Sequence, residues 1–276
     1  MRQTARMPRD DVLPRDLGTA VRIEYGLAFR APYTTPIVVV MNAALMSAFW
    51  FLLPVGLEKV FFRYHSELLF PIILSAWMLA DVPATNVLGP DAARSVEALD
   101  DAVMLRRLLY AKNVVLWSLV APFCALVAIV IGIRTDRWSA CLLAAAWILL
   151  VPAGTLGVAN WLGILMPYHP RTLTWRWENR DRFRQVIFRW LSLAIAPYIL
   201  VTWLAVLVMA PSFALWAAFT NRNPVEKIPV GEFVLIVVTA ALVSAVMFFG
   251  GHRFGLRLAL RRREALHAYL TDPELG

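Results

Sequence analysis

Residues Asn113–Ile133 read NVVLWSLVAPFCALVAIVIGI, without one charged side chain. At about 1.5 Å of rise per residue, such a run makes a helix of roughly 30 Å, the thickness of a bilayer's hydrocarbon core. Working outward, five more apolar runs occupy about 36–57, 67–89, 139–166, 187–210 and 232–255, and residues 211–219 (PSFALWAAF) extend the fifth. None alternates apolar and polar residues, and each is about twice the ~10 residues of a barrel strand. The expected fold is therefore all-α: a polytopic integral membrane protein with six transmembrane helices.

Composition agrees. Of 276 residues, 60% are hydrophobic and 17% charged, with a mean hydropathy of +0.63. A soluble domain is nearer ~45–50% apolar and ~25% charged. A water-soluble globule is thereby excluded, and the net charge of +8 reads as membrane topology rather than nucleic-acid affinity. Lys and Arg collect beside the cytoplasmic leaflet. Alternate connections divide them 21 to 6, the larger share on the side of the two termini and of the loops at 91–112 and 167–184. Both termini are thus expected in the cytoplasm, in a multi-pass protein of the plasma membrane. The first 30 residues carry six arginines and no unbroken apolar stretch of signal-peptide type, so insertion is expected to rely on internal spans. Cys124 and Cys141 fall in different apolar runs and read as small core side chains.

The chain divides into a cytoplasmic segment at 1–35, a six-span domain at 36–256 and a basic cytoplasmic tail at 257–276. Three pieces outside the spans have amphipathic character. Leu17–Arg30 sets Leu17, Val21 and Tyr25 on one stripe and Arg22, Gly26 and Arg30 on another. A helix at about 91–107 places Val96, Leu99 and Val103 against Arg94, Glu97, Asp100, Asp101, Arg106 and Arg107. Leu256–Leu270 prolongs the last span as a basic helix. A helix resting on anionic lipid should be one-sidedly basic. The mixed charges at 91–107 suit a protein socket better.

Catalytic signatures are missing from the sequence. There is no GxxxxGK[ST] phosphate loop, no HExxH and no GxSxG, so no catalytic, metal or cofactor-binding residue is expected in this chain. His65, His169, His252 and His267 are scattered and read as interface side chains. Polar residues inside the spans are more informative. A charge near the bilayer centre costs about 2.5–3.5 kcal/mol, so it faces protein or water. Asp81 either lines a cavity or pairs with a base, or else snorkels or caps a helix broken at Pro83. Asn86, Asn160 and Trp161 join it as candidates for a cavity or gate. Gly154, Gly157 and Gly163 flank Asn160 and make that helix a packing face first.

Three segments carry a resemblance. Thr85-Asn-Val-Leu-Gly-Pro-Asp91, a short helix and then Leu108-Leu-Tyr-Ala-Lys112-Asn113 resemble the connection between the second and third spans of ABC-2 type permeases, the membrane subunits of ABC exporters. Gly157-Val-Ala-Asn160-Trp-Leu-Gly-Ile-Leu-Met-Pro167 is similar to that family's fourth-span ending, and Glu24 through Arg30-Ala-Pro32 to its opening helix. Gly163 stands where the family has a small polar residue. The resemblance implies a permease working with a second permease subunit, membrane lipids and separate ABC ATPase subunits that bind ATP and Mg. It further implies that 91–107 is the coupling helix docking on the ATPase, through Arg94, Glu97, Asp100, Asp101, Arg106 and Arg107. The alternatives are a non-transporting membrane scaffold or assembly factor, and a proton-coupled secondary transporter using Asp81.

Overall fold

The structure, a computed structural model, describes residues 16–30, 33–52, 69–80, 82–220 and 229–275. It is helical, and no strand occurs among the described residues. Five helices are long and apolar enough to cross a membrane. They are α2 (Thr34–Leu52), α6 (Ala102–Thr135), α7 (Trp138–Leu165), α9 (Arg189–Thr220) and α10 (Val230–Arg261). Shorter elements sit between and beside them: α1 (Leu17–Ala28), α3 (Leu69–Leu79), α4 (Val82–Thr85), α5 (Ala92–Leu99), α8 (Leu173–Glu178) and α11 (Arg263–Thr271).

The second expected span is not one continuous helix. Among the described residues its apolar part, α3, has 11 residues, and the chain breaks before the single turn of α4. Pro83 has no N–H to give the carbonyl of residue 79, so a helix ending at Leu79 does not run through it. Beyond α4, Asn86 replaces helical bonds with tertiary ones. Its Nδ2 donates to the Tyr168 carbonyl at 2.8 Å and its Oδ1 accepts from the Tyr168 N–H at 3.3 Å. The amide thus fixes the 86–91 turn to the segment after α7.

α7 is the central helix, flanked by α3, α6, α9 and α10. Burial of apolar surface gives little drive for helix association in lipid, so small residues that allow close backbone approach do the work. A Cβ on Gly157 would lie 2.7 Å from Phe248 Cα, and one on Gly251 would lie 2.6 Å from the Gly157 carbonyl carbon. Gly163 is pressed against α4: an added Cβ would lie 2.1 Å from the Thr85 carbonyl oxygen. Only glycine fits where the resembled family has a small polar side chain.

Helix ends are settled by side chains. Asp16 caps α1 by accepting from the Thr19 N–H at 2.8 Å, and hydrogen bonds from Thr19 hold its carboxyl below the usual value. Asp101 caps α6 by accepting from the Val103 N–H at 2.7 Å. Such caps are worth about 1 kcal/mol. α6 closes on Asp136 in the left-handed region, φ 54°, which turns the chain back into α7. The last carbonyls of α7, Ile164 and Leu165, accept from Arg262 Nη1 at 2.9 and 2.7 Å. That bond satisfies orphan acceptors and sets a cation at the negative end of the helix dipole.

Candidate functional site

α6 has 34 residues, about 51 Å at 1.5 Å per residue, so it overruns a ~30 Å hydrocarbon core. The excess lies at its N-terminal end and forms a platform with α1, α5 and α11. Leu99 of α5, Leu105 and Leu109 of α6, Ile164 of α7 and Leu266 and Leu270 of α11 make one buried core there. Ser95 adds a bond to the Leu88 carbonyl at 2.8 Å, and α11 reaches α5 through Arg263 and Asp100 at 2.6 Å.

The helix expected at 91–107 is two elements. α5 ends at Leu99, Asp100 and Asp101 form the junction, and Arg106 and Arg107 belong to the long helix α6. The six expected docking residues therefore separate. Glu97, Asp100, Asp101 and Arg106 are exposed, and Arg107 is half-buried against Met104. Arg94 is 8% exposed and points inward, where it forms an ion pair with Glu24 of α1. It is therefore not presented to a partner. The outward surface is an acidic rim, Glu97, Asp100 and Asp101, followed by a basic start of α6.

Behind that rim lies a charge cluster drawn from three elements. Glu24 is 6% exposed, and burial raises its carboxyl value, opposed by the positive charges of Lys112 and Arg94. Lys112 Nζ donates to the Val87 carbonyl at 2.6 Å and lies 3.7 Å from Asp91. Glu24, Arg30, Asn86, Asp91 and Lys112 line a cavity of about 340 Å³ between α1, the 86–91 turn and α6. α1 is also tied to the bundle by Tyr25, whose hydroxyl bonds Ser118 Oγ of α6. It is docked on protein along one face rather than resting wholly on lipid.

Of the four residues expected at a cavity or gate, Asn86 lines that cavity. Asp81 lies outside the described residues. Asn160 and Trp161 are helix-pairing groups: Trp161 Nε1 donates to the Gly251 carbonyl at 2.8 Å, and Asn160 lies fully buried beside His252. His252 is the residue that sequence reasoning missed. Its Nδ1 faces the Phe248 carbonyl at 2.9 Å. A carbonyl only accepts, so Nδ1 carries the proton and Nε2 accepts from Asn113 Nδ2 at 3.2 Å. The signal was present as three polar residues, Asn113, Asn160 and His252, each in an apolar helix.

The 166–190 segment is held by stacked arginines. Arg176 is buried between the rings of Tyr168 and Trp190, each 5.7 Å away, and donates to the His169 carbonyl at 3.0 Å. Arg189 lies over Tyr269 at 4.3 Å, which joins this segment to α11. Among the described residues, no group of three or more His, Cys, Asp or Glu is placed to hold a metal.

Compared with known proteins, the chain matches no family model, no curated protein and no solved structure. What the fold itself supports is a class: five helices of membrane-crossing length and composition suit a membrane-embedded, multi-pass protein.

Proposed function

We propose that the chain is the membrane subunit of an ATP-driven exporter of the ABC type, and that a separate ATPase docks on the rim formed by Glu97, Asp100 and Asp101. One observation carries this reading: α5 is built as a lever. Its exposed end is acidic, through Glu97 and the Asp100 and Asp101 that follow the helix, its inner face shares a core with α6 and α11, and Asp101 joins it directly to a membrane-length helix. A push on α5 passes into α6 through the Leu99, Leu105 and Leu109 contacts, and into α1 through the Arg94–Glu24 pair. Motion of packed helices around a fixed core is an established route to alternating access. The resemblance of 85–91 and 108–113 to the ABC-2 coupling region supports the same segment independently.

In this reading two permease subunits enclose the path, ATP and Mg are held by the partner subunits, and the cargo is lipophilic. Both termini and the platform face the cytoplasm, in keeping with the 21-to-6 charge division. The membrane path holds six crossings, the second made by the segment around α3 and α4.

The test is purification from native membranes in mild detergent, followed by an ATP hydrolysis assay. The wild-type protein is expected to bring down a subunit with a phosphate-binding loop and nucleotide hydrolysis. The double variant Glu97→Lys/Asp100→Lys spares the α6 cap at Asp101; it should lose both while remaining monodisperse. Undiminished ATPase capture by that variant would remove the rim as the dock. A wild-type protein without any ATPase subunit would leave the scaffold reading standing.

A further inference from the structure

On another side of the same end of the molecule, the start of α6 and the end of α10 enclose a groove of about 580 Å³. Arg106 enters it from α6, and Arg253 and Arg257 enter from α10. All three are exposed. No carboxylate lines the groove, and none of the three arginines has an ion-pair partner among the described residues. Its floor is the stacked pair Tyr110 and His252, ring centroids 4.1 Å apart and 6° from parallel. His252 is only 2% exposed, and its ring nitrogens are held by the Phe248 carbonyl and Asn113.

The groove continues along α10 as an apolar stripe. Phe249, Val246 and Leu242 are 58%, 71% and 62% exposed, at spacings of three and four residues that keep them on one helix face with Arg253. From Leu242 to Arg253 the stripe rises about 16 Å, roughly half of a ~30 Å hydrocarbon core and so one leaflet deep. Guanidinium groups match phosphate oxygens by paired N–H donation.

We propose that this groove binds an anionic phospholipid of the cytoplasmic leaflet. Its phosphate sits among Arg106, Arg253 and Arg257, and an acyl chain lies along Phe249, Val246 and Leu242. A free phosphate would use the arginines and leave the stripe idle; a lipid uses both. The site rests on the membrane reading of α6 and α10 and not on the ATPase dock, so the permease alone suffices to measure it.

The experiment is native mass spectrometry of the full chain in detergent, with phosphatidylglycerol and phosphatidylcholine of identical acyl chains in competition. The wild-type protein is expected to retain phosphatidylglycerol preferentially. Each arginine beside an anionic lipid contributes about fivefold, so Arg253→Gln/Arg257→Gln should cut the preference by about tenfold or more. Arg253→Lys/Arg257→Lys keeps the charge and should retain most of it. Arg22→Gln/Arg182→Gln removes two exposed positive charges that line no part of the groove and should leave the preference intact. Four results would overturn the site: no preference in the wild type, an equal loss in the Arg22/Arg182 variant, displacement of the lipid by millimolar inorganic phosphate at matched ionic strength, or a lipid preference unchanged in the Arg253→Gln/Arg257→Gln variant.

Discussion

The α7–α10 seam and the α1–α5–α11 platform lie in one chain but are held by different forces. The seam runs through the apolar part of the bundle and is made by absence of side chain: Gly157 and Gly251 bring two backbones into contact. The platform is made by side chains reaching over long sequence distances. It has an apolar core around Leu99 and Leu266, the Glu24–Arg94 pair, and arginines bonded to carbonyls. Lipid tails are as apolar as leucine, so the seam gains from contact and shape. Where water returns, hiding leucines becomes favourable again and ion pairs can select one docking geometry.

Three substitutions test that contrast. The largest effect is expected from Arg94→Met, which leaves the buried Glu24 carboxylate without its nearest partner. Removing one member of a buried pair costs about 3–5 kcal/mol. The variant should melt well below the wild type, and a cysteine placed at the buried Ala20 should become open to maleimide. Glu24→Gln/Arg94→Met should recover part of the loss. A single variant as stable as the wild type, with position 20 still protected, would show that the pair does not hold α1.

Gly157→Val comes next. Overpacking costs about 1–3 kcal/mol, and here the obstacle is the Phe248 backbone, so α10 must move away. The measurement is the monodisperse yield in detergent, with a disulfide engineered between Gly154→Cys and Ser244→Cys as the distance gauge. Efficient cross-linking in the presence of Gly157→Val would mean that the seam tolerates a wider gap than its glycines imply.

The smallest effect belongs to Arg263→Gln. Its bond to Asp100 is short at 2.6 Å, but both side chains are more than half exposed. Exposed pairs contribute about 0–1 kcal/mol. The melting temperature should change little, because the Leu99, Leu266 and Leu270 contacts remain. A large destabilisation would move the main attachment of α11 from its apolar face to its charge.

Much of this was legible in the sequence by itself. Hydropathy summed over about 20 residues located five membrane-length helices, and the spacing of apolar residues placed helices at α1 and α5; the single basic helix expected at 256–270 is instead the end of α10 and, after a turn at Arg262, the separate helix α11. These are local properties: a helix closes its own backbone bonds within four residues, and lipid demands apolar side chains all round. Tertiary structure decided the rest. It ended the helix of the second expected span at Leu79, ahead of Pro83, and tied the turn after α4 to Tyr168 through Asn86. It divided 91–107 at Asp101 and drew Arg94 inward to Glu24, 70 residues away. It set His252 against Asn113, 139 residues away, and used Arg262 to close a helix ending 97 residues earlier. A polar side chain's role depends on what stands opposite it, and no spacing within one helix records which helix that will be.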